Sequence, residues 1–153
     1  MIPVNLAPRT LLVVKLTASG VTRAQIAKRL AVTERAVTWD VGRACRSLQV
    51  QYSDHAALVN AAIRAGVITL PALPSVELEP HLVDTLRLVA DGYTNRQIAR
   101  RLRRSFECVK SRIKRILRTL HAKDRAHAVA IGWQCGLLGH DTAPAPADCR
   151  QVA

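Results

Sequence analysis

Five basic side chains lie within residues 105–120, in the stretch SFECVKSRIKRILRTL. Lysine and arginine donate hydrogen bonds to phosphate oxygens and to the acceptor atoms of guanine, so a cluster of them is suited to binding nucleic acid. The stretch has one acidic residue, Glu107, and its apolar residues are spaced by four, three and four. This spacing predicts a helix with a buried apolar face and an exposed basic face. The apolar residues are Val109, Ile113, Ile116 and Leu120, and the basic ones are Lys110, Arg112, Lys114, Arg115 and Arg118.

The segment before this stretch predicts a short helix that would position the basic one. In GYTNRQIARRL, residues 92–102, Gly92 suits the end of a preceding helix, because glycine adopts the left-handed conformation without a Cβ penalty. Thr94 and Gln97 form the T-x-x-Q pattern of a capping box, and Ser105 is a suitable N-cap for the basic helix. A short capped helix, a tight turn and a longer helix predict a helix-turn-helix.

Nearly the same phrase, GVTRAQIAKRL, occurs at residues 20–30. A shift of 72 residues aligns residues 6–48 with 78–120, and about a third of the aligned pairs are identical. Aromatic residues make up only 3% of the chain, which favours aliphatic cores between helices. We therefore predict an all-α chain of two tandem four-helix helix-turn-helix domains. The expected boundaries are residues 1–68 and 77–138 for the domains, 69–76 for a short proline-containing linker, and 139–153 for a disordered tail.

The net charge of +12 and the pI of about 10.8 point to a polyanionic partner. Charge alone does not decide which, since an arginine-rich composition is also typical of a GC-rich genome. A membrane surface is disfavoured because there is no long basic amphipathic helix with aromatic anchors. The apolar run LAPRTLLVV near the start is too short for a secretory signal, and no run reaches the ~20 apolar residues that span a bilayer. We expect a soluble, intracellular protein.

Catalytic and metal-binding patterns are not found in the sequence. It contains no paired carboxylates, no glycine-rich phosphate loop and no Ser/His/Asp or Cys/His arrangement, so we do not expect an enzyme or a cofactor. The four cysteines form no C-x-x-C pair, and we expect free thiols and no metal site. They are Cys45, Cys108, Cys135 and Cys149.

Residues 78–138 resemble the LuxR/GerE-type, NarL-like helix-turn-helix domain. The resemblance is carried by the L-x-P opening, by LRLVADGYTNRQIARRL, and by the stretch from SFECVKSRIKRILRTL to the end of GWQCGLL. Residues 6–68 resemble the same family more loosely. The resemblance implies a four-helix DNA-binding fold of bacterial transcription factors, hence a cytoplasmic, nucleoid-associated protein. Family members usually carry a sensor domain as well, which this sequence does not show.

The resemblance also implies which residues of the second domain contact the bases of double-stranded DNA. The expected base contacts, on the basic helix after Val109, are Lys110, Ser111, Arg112 and Lys114. From their positions around the turn and along the two helices, the expected phosphate contacts are Thr94, Arg96, Arg100, Arg101, Arg104, Arg115 and Arg118.

The first domain departs from this pattern. The residues that align with the expected base contacts of the second domain are Thr38, Trp39, Asp40 and Gly42. We expect Asp40 to face the DNA phosphates, which carry the same negative charge. Either this domain contacts different DNA, with Trp39 on a thymine methyl group, or it binds protein with Trp39 as an anchor. The candidate contacts are Arg35, Thr38, Trp39, Arg43 and Arg46.

Partner and function have alternatives at this point. The resemblance implies dimerisation through the fourth helix, which allows a homodimer or an intramolecular pseudo-dimer of the two domains. The roughly ten residues from Ile68 to Leu78 reach at most ~33 Å, close to the ~34 Å between half-sites one turn apart. The predicted function is sequence-specific transcription regulation. The alternatives are an adaptor for RNA polymerase or another regulator, and non-specific DNA binding.

Overall fold

The structure is a computed structural model of the chain, and it describes residues 4–51 and 54–139. These residues form eight α-helices and no strand, which confirms the predicted all-α fold. The predicted tail lies, from residue 140 onward, outside the described residues. The helices are α1 (Pro8–Ala18), α2 (Arg23–Leu30), α3 (Glu34–Ser47), α4 (His55–Arg64), α5 (Pro80–Ala90), α6 (Asn95–Leu102), α7 (Phe106–Thr119) and α8 (Arg125–Gln134).

The helix lengths recur in order along the chain. Helices α1 to α4 have 11, 8, 14 and 10 residues, and α5 to α8 have the same four lengths in the same sequence. We call α1–α4 the N-terminal half and α5–α8 the C-terminal half. Equal lengths agree with a duplication, which stays a prediction.

Helices α2 and α6 begin at the predicted capping boxes. The Thr94 hydroxyl accepts from the backbone N–H of Gln97 at 3.4 Å, and the Gln97 carbonyl oxygen Oε1 accepts from the backbone N–H of Thr94 at 2.9 Å. Thr22 and Gln25 make the same two bonds in α2. Gly92 has a φ of 86°, so it ends α5 in the conformation that the sequence predicted. The relative direction of α5 and α6 is thus fixed by contacts between residues close in sequence.

The two longest helices, α3 and α7, bury the predicted apolar residues. Val109 and Ile116 of α7 and its C-cap Leu120 are buried and Ile113 is half-buried, with α5 and α6 packed on that side. Helix α3 packs in the same way on α1 and α2. Each long helix therefore keeps its opposite face exposed.

The two halves pack on each other through reciprocal contacts. Helix α4 packs against α8, α1 contacts α8, and α4 contacts α5. The backbone of Gly20 lies against His127 of α8, and that of Gly92 lies against Ala57 of α4. Exchanging the halves exchanges these two contacts, as in a two-fold interface.

Asn60 is a buried polar residue between the halves. From α4, its amide nitrogen donates to the carbonyl oxygen of Ala90 in α5 at 3.0 Å. Its amide oxygen accepts from the indole nitrogen of Trp133 in α8 at 2.8 Å. One side chain therefore joins three helices and fixes how α4 lies on the C-terminal half.

The connection between α4 and α5 is held against α8. Residues 69–79 are not helical. The N–H of Leu73 donates to the carbonyl oxygen of Gln134 at 2.9 Å, and the side-chain amide of Gln134 donates to the carbonyl oxygen of Pro71 at 3.0 Å.

Among the helices of the described ranges, none is long and apolar enough to cross a membrane.

Candidate nucleic-acid interface

The N-terminal part of α7 presents the expected base-contacting residues to solvent. Ser105 caps the helix by accepting from the N–H of Cys108 at 3.1 Å. Lys110, Ser111 and Lys114 are all exposed on the face opposite the core. The Lys110 ammonium lies 3.5 Å from a carboxylate oxygen of Glu107 and 5.8 Å from the centre of the Phe106 ring. These contacts are on the surface, so a stronger anion can replace them.

Arg112 differs from its neighbours. It is half-buried, and its guanidinium donates to the carbonyl oxygen of His81 on α5 at 3.5 Å. The side chain is thus directed toward the helix that opens its half. Of the four expected base contacts, Arg112 has the least suitable geometry.

The expected phosphate contacts form an exposed basic margin around α6 and α7. Arg96, Arg100, Arg104 and Arg118 are exposed. Two other arginines of the margin are engaged in surface contacts. The Arg101 guanidinium lies 4.1 Å from the centre of the Tyr93 ring, and Arg115 is paired with Glu79. Thr94, also exposed, uses its hydroxyl in the capping box, and its position at the start of α6 is where a helix N-terminus favours an anion.

Arg125 stabilises the start of α6, and the sequence analysis did not predict this role. It follows the N-cap Asp124 of α8 and donates to the side-chain oxygen of Asn95 at 2.8 Å and to the carbonyl oxygen of Tyr93 at 2.9 Å. Burial lowers its pKa, while the nearby Asp54 acts in the opposite direction. A cation in the first turn of a helix opposes the helix dipole, and that could have indicated a specific partner.

Asp40 of α3 does not lie where we expected it. The expectation that it faces phosphates is wrong, because its side chain is buried and accepts from Arg9 Nε at 2.7 Å and from the Thr10 hydroxyl at 2.9 Å. Both partners are on α1, 30 or more residues away in sequence. The acid therefore places no negative charge on the outer face of α3.

The outer face of α3 combines an aromatic ring with basic residues. Trp39 is 61% exposed, with the Arg46 guanidinium 5.7 Å from its ring centre. Arg35 and Arg43 are also exposed. Thr38 is half-buried, and its hydroxyl donates to the carbonyl oxygen of Glu34 at 2.9 Å. Arg35, Thr38 and Trp39 line a shallow depression with Ala36.

The cysteines and the acidic residues form no alternative site in the described part of the chain. No group of histidine, cysteine and carboxylate side chains there is arranged to hold a metal ion. Cys45, Cys108 and Cys135 are free thiols, and burial raises the pKa of Cys45. Cys149 lies outside the described residues.

Comparison with known proteins identifies one segment of the chain. Residues 83–131 match the GerE family model, described as bacterial regulatory proteins of the luxR family. The match begins within α5, contains all of α6 and α7, and ends within α8. No curated protein and no solved structure matches the chain significantly. Residues 83–131 are thus similar to the luxR family of bacterial regulatory proteins, and they include the two helices, α6 and α7, of the predicted helix-turn-helix.

Proposed function

We propose that the chain is a sequence-specific, double-stranded DNA-binding transcription regulator in which α7 enters the major groove. One observation carries the proposal: the segment that matches the GerE family contains a capped helix whose exposed face is cationic. The major groove of B-DNA admits an α-helix, and its base edges present distinct patterns of donors and acceptors.

Three residues are the proposed base contacts. Lys110 and Lys114 are one helical turn apart and exposed, and lysine donates to the O6 and N7 acceptors of guanine. Ser111, between them, both donates and accepts. Arg112 is not among these three, because its guanidinium would have to break its hydrogen bond to the carbonyl oxygen of His81 to reach a base.

The exposed arginines around α6 and α7 are the proposed phosphate contacts. They fix the orientation of α7 without reading sequence, since phosphates are the same at every base pair. Arg115 joins them by exchanging its exposed partner Glu79 for a phosphate, and the start of α6 at Thr94 offers backbone N–H groups.

We further propose that the N-terminal half is a diverged copy of the C-terminal half, and that the halves form the intramolecular counterpart of a dimer. The repeated helix lengths and the exchange-symmetric contacts of Gly20 with His127 and of Gly92 with Ala57 support this. The proposed copies span residues 1–68 and 77–138, with the α4–α8 contact between them.

The test compares substitutions on the two kinds of contact. Lys110→Ala and Lys114→Ala should each cost about 1–3 kcal/mol of binding to a selected duplex and little on random duplex. Arg101→Ala should weaken binding to both duplexes alike. It should also reduce the salt slope, which is the slope of the logarithm of the binding constant against the logarithm of the salt concentration, by about one. Fluorescence anisotropy at several salt concentrations measures both quantities.

Arg64→Ala is the matched control, because it removes one exposed positive charge from the end of α4, outside α6 and α7. If Lys110→Ala and Lys114→Ala affect selected and random duplexes equally, α7 does not read bases and the chain binds DNA non-specifically.

A further inference from the structure

We infer that the DNA site of this chain is asymmetric: α7 reads one half-site, and α3 contacts an unlike half-site through phosphates and thymine methyl groups. This inference rests on the proposed function and specifies the class of duplex. One chain covers both half-sites with two different helices. The site therefore lacks the two-fold symmetry that is expected when two identical helices read it.

The first support is a set of basic positions that both halves share. At the end of the short helix and in the second part of the long one, each half has four exposed basic residues at matching positions. They are Lys28, Arg29, Arg43 and Arg46 in the N-terminal half and Arg100, Arg101, Arg115 and Arg118 in the C-terminal half. If the second set contacts phosphates, the first set is equally able to do so.

The second support is the burial of Asp40. Its carboxylate is 1% exposed and is engaged by Arg9 and Thr10. The outer face of α3 consequently keeps the positive charge of Arg43 and Arg46, with Glu34 as its acid at the N-terminal end. Charge complementarity favours a duplex on this face.

The third support is the difference between the two long helices where bases would lie. Positions that hold Lys110, Ser111 and Lys114 in α7 hold Thr38, Trp39 and Gly42 in α3. Helix α3 thus lacks the lysine donors that suit guanine, and Gly42 is buried. Trp39 instead presents an exposed apolar edge, and an apolar side chain in the major groove recognises the thymine methyl group.

The exchange-symmetric packing of the halves relates the outer face of α3 to that of α7. A two-fold relation makes α3 the counterpart of α7, and two such helices that bind one duplex contact half-sites about one DNA turn, or a multiple of it, apart. Because the halves are on one chain, no second chain is needed. Because their reading residues differ, the half-sites differ too.

The first experiment selects bound duplexes from a random pool with the full chain and determines how many chains bind each selected duplex by light scattering. We expect two unlike half-sites about one turn apart and one chain per duplex. A palindromic site, or two chains per duplex, would overturn the inference while leaving base reading by α7 intact.

The second experiment removes single methyl groups from the selected duplex. Replacing thymine by deoxyuridine in the α3 half-site should weaken binding of the wild-type chain roughly fourfold, since one buried methyl group is worth about that. The Trp39→Ala variant should bind both duplexes equally. The Arg43→Ala/Arg46→Ala variant should lower the salt slope by roughly two.

Arg64→Ala is again the control for charge, and all four substituted side chains are exposed, so the fold is retained. If the Trp39 and Arg43/Arg46 variants behave like Arg64→Ala, α3 is not on DNA, and its aromatic face is left for a protein partner. A wild-type chain that does not distinguish selected from random duplexes would overturn the proposed function, and this inference with it.

Discussion

Asp40 and Arg112 hold matching positions on α3 and α7, and each reaches toward the first helix of its half. Asp40 accepts from Arg9 and Thr10 on α1, whereas Arg112 donates to the carbonyl oxygen of His81 on α5. Both side chains thus connect the long helix to the first helix of the same half, one as a negative acceptor and the other as a positive donor. In both cases a charged side chain on the long helix stabilises packing.

Asp40→Ala should lower the free energy of unfolding by about 2 kcal/mol, because the buried hydroxyl of Thr10 loses its acceptor. Arg9→Ala should cost a comparable amount, about 1–3 kcal/mol, because it leaves the buried carboxylate of Asp40 without its counter-charge. Urea unfolding followed by circular dichroism measures both values. Glu34→Ala, an exposed acid on the same helix, is the control. Losses for Arg9→Ala and Asp40→Ala no larger than that for Glu34→Ala would contradict this assignment.

His127 should make the stability of the fold depend on pH. Its ring nitrogen Nδ1 accepts from the N–H of Lys123 at 3.2 Å, and burial lowers its pKa, with Lys123 adding to the shift and Asp124 opposing it. Burial, with a contribution from Arg23, also lowers the pKa of His55, against Asp124 and Asp54. As the pH falls below 6.5, the ordinary pKa of histidine, these histidines are protonated in the unfolded chain before they are protonated in the folded one. The free energy of unfolding therefore decreases.

The melting temperature should therefore be lower at a pH of about 5.5 than at about 7.5, and the difference should be smaller in His127→Gln. Differential scanning calorimetry at the two pH values measures this. Equal pH dependence of His127→Gln and the wild type would show that His127 does not contribute.

At the scale of the helices, the capping boxes decide where α2 and α6 begin. Each box satisfies two backbone N–H groups that the helix start would leave unpaired, one through the threonine hydroxyl and one through the glutamine side chain. Because α6 precedes α7 by a short turn, the start of α6 also sets the position of the proposed reading helix.

Thr94→Ala should lower the free energy of unfolding by about 1 kcal/mol, the typical cost of losing an N-cap. Thr94→Ser keeps an oxygen at the same position and should be close to the wild type. Urea unfolding of both variants measures the difference. If serine is as damaging as alanine, the methyl group of Thr94 and not its hydroxyl is what stabilises α6.

Much at this scale was predictable from the sequence, but not everything. The capping boxes and the apolar stripe of α7 join residues three or four apart, so a short window of sequence contains both partners. Helix α8 is different, because Ala128, Val129, Ala130 and Ile131 are all buried in succession. It lies between helices of both halves, and no one-sided apolar pattern marks it.

At the scale of the whole molecule, the two halves share one hydrophobic core instead of forming separate cores. Buried residues of α4, such as Leu58 and Val59, belong to the same cluster as Leu86 of α5 and Val129 of α8. The halves should therefore unfold together. Asn60 and Trp133 provide the direct test of that coupling.

Asn60→Ala and Trp133→Phe should each destabilise the fold, and the double variant should lose less than the sum by about 0.5–3 kcal/mol, because the two side chains share one hydrogen bond. Urea unfolding followed by circular dichroism measures all three variants. Gln134→Ala, which removes a bond to the carbonyl oxygen of Pro71 instead, should be additive with Asn60→Ala. Additive losses of Asn60→Ala and Trp133→Phe would contradict the coupling across the halves.

The sequence by itself determined the helical class, the starts of α2, α6 and α7, and the exposed cations of α7, because these depend on residues within one or two helical turns. Only the tertiary structure decided that Asp40 is buried, that Arg112 turns toward α5, that Arg125 supports the start of α6, and that α4 packs on α8. The bonds that decide these features join residues 30 to 73 positions apart. Such pairings depend on how whole helices pack, and no local pattern encodes which distant side chain will be the partner.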